Sequence, residues 1–238
     1  MDRQLDTGIE TGLQFFGKMT ASISHEIKNV MAIINESAGL LEDYSLMAEK
    51  GMPIDPERLK VVSDRIAAQI RRANGITTNM NSLAHSVDEF EKSVDIRETL
   101  ALAVGLTGRF ADMRSVILDF QPPSDPAVVA TLAESAFPAV VTSPFHLLNL
   151  IWQVLDFAMD ASGAGKRVGL TFEAGPTSVK IRFTGIEALT NVPETVFPTA
   201  KEAALLHMLG ATIHQDAEKG EINLVLPKDV RQQVTAES

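Results

Sequence analysis

The sequence predicts an α+β protein in which a helical hairpin, residues 1–92, precedes an α/β sandwich, residues 93–238. Two observations support this division. Up to about residue 90 the apolar side chains recur at steps of three and four, the spacing of a helix with a narrow apolar seam. After Lys92 the pattern changes to short β-branched runs bounded by proline and glycine, interleaved with shorter helical patterns.

The first helix is predicted to run to about Glu49 and to stop at Gly51-Met52-Pro53, because glycine ends helices and proline cannot continue them. Asp55 and Pro56 then fit the N-cap and the first position of a second helix. The apolar seam of the first helix comprises Leu5, Ile9, Leu13, Phe16, Thr20, Ile23, Ile27, Val30, Ile34, Ala38 and Leu41. The seam of the second comprises Leu59, Val62, Ile66, Ile70, Ala73, Ile76, Met80, Leu83, Val87 and Phe90.

Two helices with such narrow seams cannot fully bury them against each other. Two hairpins can do so by forming a four-helix bundle, so a homodimer is the predicted state. A monomer whose hairpin packs on its own C-terminal half remains the alternative.

The second half of the chain is predicted to be one mixed sheet covered by helices on one face. The predicted helices are Ile96 to Met113, Pro144 to Ala161 and Thr199 to Leu209. The predicted strands are Ser115 to Phe120, Ala139 to Thr142, Arg167 to Glu173, Ser178 to Phe183, Ala211 to Gln215 and Glu221 to Leu226.

Composition excludes several classes of function. The chain has no cysteine, which removes disulfides and thiolate metal sites, and its net charge of −10 disfavours non-specific binding to nucleic acid or anionic membranes. The sequence has no signal peptide pattern and no apolar run that could span a bilayer. A cytoplasmic protein is therefore expected, with no membrane and no nucleic acid among its partners.

The chemistry is concentrated in Ser24-His25-Glu26-Ile27-Lys28-Asn29, inside the first helix. His25 lies roughly 200° around the helix from seam residue Ile23, so its imidazole should face outward. Ser22 and Asn29 are three before and four after it, and therefore share its face. The short side chain of Ala32 on that side would let a partner approach, so Ser22 and Ala32 are expected to contact one.

This segment resembles the phosphoacceptor motif of dimeric sensor histidine kinases, and the resemblance covers about residues 10 to 90. It implies that His25 is the phosphoacceptor, since a neutral imidazole nitrogen is a nucleophile near pH 7. By the same resemblance Glu26 matches the acidic residue that assists proton transfer on the ring. Asn29 matches the position whose amide orients a water towards the aspartyl phosphate of a response regulator.

The second half resembles the ATP-binding domain of the same kinases, but three of its expected elements are missing. Asp156 and Asp160 stand where the family has two asparagines that help to hold Mg²⁺ and phosphates. The adenine-reading Asp-x-Gly-x-Gly turn is replaced by Phe183-Thr184-Gly185-Ile186-Glu187. The glycine turn before the last helix is replaced by Pro198-Thr199-Ala200-Lys201-Glu202-Ala203, which has no glycine.

Together these resemblances predict a histidine phosphotransfer protein of a phosphorelay, most like the phosphotransferases built from a kinase-like bundle and a degenerate ATPase domain. His25 would relay phosphoryl groups between receiver aspartates without ATP, and Mg²⁺ would belong to the receiver. The chain itself would hold no cofactor and no metal. Three alternatives stay open: a divergent ATP-dependent kinase, a non-catalytic pseudokinase, and a response-regulator phosphatase that depends on Asn29.

Overall fold

The computed structural model describes residues 2–121, 138–191 and 197–229, and within them the fold is α+β as predicted. The α-helices are α1 (Asp2–Glu49), α2 (Pro56–His85), α3 (Ile96–Arg114), α4 (Pro144–Asp160) and α5 (Ala200–Leu209). The strands are β1 (Lys92–Asp95), β2 (Ile117–Phe120), β3 (Ala139–Thr142), β4 (Arg167–Ala174), β5 (Ser178–Thr184), β6 (Thr212–Asp216) and β7 (Glu221–Pro227). A 3₁₀ helix covers Glu187–Asn191.

The chain packs into two compact units. One unit comprises Met1–Gly17 together with Leu83–Ser238, and the other comprises Lys18–Ser82. The first turns of α1 thus belong with the C-terminal half of the chain. The predicted domain boundary after Lys92 stays a prediction.

In the unit Lys18–Ser82, α1 and α2 run antiparallel. Glu36 pairs with Arg65 at 2.7 Å and Glu26 pairs with Arg72 at 3.5 Å, so rising numbers on α1 meet falling numbers on α2. The turn between them follows the predicted signals: Gly51 adopts a left-handed φ of 77°, and the Asp55 carboxylate accepts a hydrogen bond from the Glu57 amide at 2.9 Å.

Helix α2 ends earlier than its predicted seam. The Ser86 hydroxyl donates to the Leu83 carbonyl at 2.6 Å, and the Asp88 amide donates to the His85 carbonyl, so the chain turns away here. Val87 and Phe90 therefore lie beyond the helix, and both are exposed. The apolar period alone could not reveal this stop, because it continues through the turn.

The predicted mixed sheet is confirmed for five of its six strands, but the prediction is wrong for β3, which lies outside it. The described strands form a five-stranded sheet in the order β2-β4-β5-β7-β6 and a separate two-stranded sheet, β1-β3. Strand β3 pairs antiparallel with β1, with Lys92 opposite Thr142, and β1 was missing from the prediction. Strands of four residues carry too few alternating positions for the sequence to fix a distant partner.

The core of the unit that contains the sandwich lies on one face of the five-stranded sheet. Val168, Ile181 and Leu224 are fully buried, and they alternate with polar residues that face away. Trp152 of α4 is 1% exposed and its ring packs 4.6 Å from that of Phe110 in α3. The two-layer arrangement of helices on a sheet is that of an α/β sandwich.

Candidate functional site

His25 is exposed near the middle of α1. The side chain of Ile23, two residues earlier, is 6% exposed, so the helix turns its apolar seam inward and the imidazole outward. Asn29 and Ala32 are also exposed on the helical face of His25. The imidazole and the amide are therefore both accessible to a second molecule.

Glu26 does not share this accessibility. Its carboxylate lies 3.5 Å from the Arg72 guanidinium of α2, and its side chain is 17% exposed whereas that of Arg72 is 48% exposed. The carboxylate next to the imidazole thus bridges the two helices, and the partly exposed guanidinium adds positive charge beside the imidazole-bearing face. The cation would favour the approach of an anionic phosphoryl group.

Ser22 does not lie on the exposed face. It is 5% exposed, and its hydroxyl oxygen has no hydrogen-bond partner in this unit. On the helix Ser22 lies about 60° from His25, on the side where Glu26 faces α2. The expectation that Ser22 shares the accessible surface of His25 is therefore wrong, because spacing of three reaches the edge of the face rather than its centre.

On the sandwich, Arg114 holds the two aspartates of α4. Its Nη2 lies 2.7 Å from Asp156 Oδ1, and its Nε lies 2.7 Å from Asp160 Oδ1. Burial acts to lower the pKa of Arg114, but the hydrogen bond to Asp160 and the charges of both aspartates outweigh it, so the pKa lies above its ordinary value. The guanidinium is thus a fixed counter-ion for both carboxylates.

A second acidic group closes the N-terminus of α5. The Thr199 amide donates to the Glu202 carboxylate at 2.6 Å, the Thr199 hydroxyl accepts from the Lys201 amide, and Glu202 is 5% exposed. This is a capping box, in which the helix uses its own side chains to satisfy its first amides. The preceding segment is held on α4 by stacking of Phe197 on Phe157, with ring centroids 4.4 Å apart.

The turn after β5 is also fixed by the fold. Gly185 has a φ of 84°, and a Cβ there would lie 2.1 Å from the Arg167 carbonyl oxygen. Ile186 follows it, fully buried, and its amide donates to the Gly220 carbonyl at 3.0 Å. An apolar side chain thus stands in the core where the resemblance expects a glycine-rich turn.

No group of three or more His, Asp or Glu side chains in residues 2–121, 138–191 and 197–229 could hold a metal ion. In the same ranges, no helix is both long enough and apolar enough to cross a membrane.

The sequence reasoning missed Arg72, Arg114 and the capping role of Glu202. The Thr199-x-x-Glu202 spacing was a readable capping-box signal. The pairing of Arg114 with Asp156 and Asp160 joins residues more than forty positions apart, for which the sequence carries no local sign.

No protein-family model matches this chain, and no curated protein matches it. Its fold is similar to several solved histidine kinases. A histidine kinase from Burkholderia phymatum shares 14% identity, over 96% of this chain and 99% of that one, with a TM-score of 0.45. The histidine kinase ThkA, solved in complex with the response regulator protein TrrA, shares 17% identity over 92% of this chain and 64% of that one, with a TM-score of 0.45. The histidine kinase AdeS of Acinetobacter baumannii shares 12% identity over 86% of this chain and 98% of that one, with a TM-score of 0.42.

Proposed function

We propose that the protein is a histidine phosphotransfer protein of a two-component phosphorelay, which carries phosphoryl groups between receiver aspartates on His25 and does not use ATP. The observation that carries this proposal is that the imidazole of His25 is exposed on α1. In the sandwich, by contrast, Asp156 and Asp160 are already bound by Arg114, and Glu202 is hydrogen-bonded in the cap of α5.

In the proposed step, a nitrogen lone pair of the His25 imidazole attacks the phosphorus of an aspartyl phosphate. The phosphorus–oxygen bond to the aspartate breaks, the aspartate leaves as a carboxylate, and a phosphorus–nitrogen bond forms. The proton on the other ring nitrogen can pass to water or to a carboxylate. A second receiver aspartate then takes the phosphoryl group by the reverse step.

The contribution of this chain is mainly to position the nucleophile. His25 sits within a continuous helix, so its backbone is fixed before the receiver arrives, and such pre-organisation can supply several kcal/mol of a transfer barrier. The Mg²⁺ that the resemblance implies would be held by the receiver.

The sandwich does not fit a metal–nucleotide complex. A triphosphate needs backbone amides and cations, and here a carboxylate, Glu202, occupies the first turn of α5. Asp156 and Asp160 could ligate a cation, but Arg114 already binds both of them, and a metal would have to displace it. These contacts support the absence of ATP from the proposed reaction.

The proposed state is a homodimer. Seam residues Ile9, Leu13 and Phe16 of α1 are 55%, 71% and 40% exposed, and Ile70 and Met80 of α2 are 49% and 39% exposed. Large apolar side chains exposed in a row along a helix mark an interaction surface more often than a solvated one. A second hairpin would cover them in a four-helix bundle.

The proposal is tested with receiver domains from the same organism, phosphorylated with labelled acetyl phosphate. We expect acid-labile label to appear on the parent protein and on His207→Ala, an exposed histidine on α5, and to be absent from His25→Ala. Label on His25→Ala would contradict the assignment. Acid-labile label from Mg-ATP alone that disappears in His25→Ala would instead make the protein a kinase.

Exposure of Asn29 beside His25 favours one second function, a phosphatase of the receiver. Its side chain amide could orient a water towards the aspartyl phosphate. In the same assay this function would release inorganic phosphate in His25→Ala and lose the release in Asn29→Ala.

A further inference from the structure

The first turns of α1 are packed into the sandwich unit through small residues. Within that unit, a Cβ on Gly8 would lie 2.7 Å from the sulfur of Met208 in α5, and a Cβ on Gly12 would lie 3.0 Å from the Phe145 ring in α4. Both distances are shorter than a Cβ normally shows, and because the Phe145 ring is less able to move aside than the flexible end of Met208, Gly12 is the position where a side chain would most disturb the contact.

Two further contacts hold these turns of the helix. The rings of Phe15 and Phe145 have centroids 5.6 Å apart, and the Lys201 ammonium donates to the side-chain amide oxygen Oε1 of Gln14 at 2.8 Å. Phe15 is 2% exposed. The first turns of α1 therefore contact the sandwich in three ways: through the close approach at the glycines, through an aromatic pair, and through a hydrogen bond from α5.

The large apolar side chains on the neighbouring side of these turns are exposed. Ile9 and Leu13 are 55% and 71% exposed, whereas Thr11, on the face of Gly8 and Phe15, is 1% exposed. The glycines also carry a cost, because glycine in a helix interior is less stable than alanine by about 1 kcal/mol. Glycines at two positions one turn apart, both in close contact, are what a docked helix requires.

We infer that the segment Thr7–Phe16, called here the α1 strap, is a docking device that locks onto α4 and α5 through Gly8 and Gly12 and releases as a unit. In the docked state the sandwich is held against the first turns of α1, the helix that carries His25 further along the chain. This inference concerns the conformation of the chain and does not depend on the proposed phosphotransfer.

The absence of cysteine allows a direct test. A single cysteine introduced as Thr11→Cys would be buried under the docked strap, while Leu13→Cys, two residues along the same helix, would be exposed. We expect the thiol of Thr11→Cys to react with a disulfide reagent roughly 100-fold more slowly than that of Leu13→Cys, because it reacts only during local opening.

The glycine variants then identify what holds the strap. Gly12→Leu should speed the reaction of Thr11→Cys at least tenfold and leave Leu13→Cys within twofold. Gly17→Leu is the matched control, since a Cβ on Gly17 meets nothing within 4 Å, and it should change neither rate. Hydrogen exchange in β4 and β5 separates strap release from global unfolding.

If Gly12→Leu fails to fold, Phe145→Ala removes the same contact from the sandwich side and should also speed the reaction. The inference is overturned if Thr11→Cys reacts as fast as Leu13→Cys in the parent. It is overturned as well if Gly12→Leu and Gly17→Leu have equal effects.

Discussion

Replacing Arg114 with alanine should destabilise the sandwich, and the two aspartates should contribute unequally. The side chains of Arg114 and Asp156 are 28% and 26% exposed, whereas that of Asp160 is 66% exposed. A partly buried hydrogen bond between charged groups contributes roughly 1.5–3 kcal/mol, and an exposed ion pair about 0–1 kcal/mol. After discounting for solvent screening, we expect about 1–2 kcal/mol from Asp156 and about 0.5 kcal/mol or less from Asp160.

The sum, about 2 kcal/mol for Arg114→Ala, corresponds to a lower Tm by about 4–8 °C for a unit of this size. The assay is urea unfolding of a double-mutant cycle, with Arg114→Ala combined first with Asp156→Asn and then with Asp160→Asn. The Arg114–Asp156 coupling should exceed 1 kcal/mol or so and persist in high salt, while the Arg114–Asp160 coupling should be small and vanish with salt. Because the Arg114 pKa is raised, the guanidinium stays charged throughout and adds no pH dependence near neutrality.

Equal couplings, or none, would refute the reasoning. Arg114→Lys provides a control for charge alone, since an ammonium lacks the planar fork that reaches both carboxylates. It should recover only part of the lost stability. Full recovery would mean that the geometry of the guanidinium does not matter.

Two further predictions concern other parts of the chain. Burial lowers the pKa of His146 below its ordinary 6.5, so below that pH the unfolded chain binds more protons than the folded chain and stability falls as pH drops. Urea unfolding at pH 5.5 and 7.5 should show a smaller pH difference in the free energy of unfolding for His146→Gln than for the parent; an unchanged difference would contradict the assignment to His146. The proposed dimer is tested by light scattering on Ile70→Glu, which should weaken association. The control is Val61→Glu, which should not, because Val61 is an apolar residue of α2 that is at least as exposed but lies off the seam. A monomeric parent, or equal effects of both variants, would contradict the dimer.

Apart from the end of α2, the helix ends and the two hairpins of the sandwich could be predicted because their signals are local. Gly51, Asp55 and Pro56 mark the turn of the helical hairpin, and Gly210 ends α5 with a left-handed φ of 57°. The pairing of β1 with β3 could not be predicted, nor could the Arg114 contacts. Each joins distant segments through interactions that leave no periodic trace in the chain.

The candidate site was predicted in its main feature and missed in its details. Exposure of His25 followed from the helical period, since the apolar seam fixes which side faces outward. The prediction that Ser22 shares the accessible surface of His25 was wrong, because a residue three positions away can lie at the edge of a face that a neighbouring helix covers. The bridge from Glu26 to Arg72 depends on the register of two helices, which the seam leaves open by a turn in either direction.

At the start of α1, small and large residues lie on different sides of the helix. A pattern of apolar residues is usually interpreted on the assumption that the largest side chains are buried first, yet at the start of α1 the two glycines, Gly8 and Gly12, are the positions in close contact with the sandwich. Ile9 and Leu13, the large seam residues that directly follow the two glycines, stay exposed on the neighbouring side. The two sets differ by a single position along the sequence, about 100° around the helix, so they serve different contacts. The glycine face of α1 makes the contacts with the sandwich, and the large seam residues stay exposed. Their exposure is the physical argument for the proposed second hairpin.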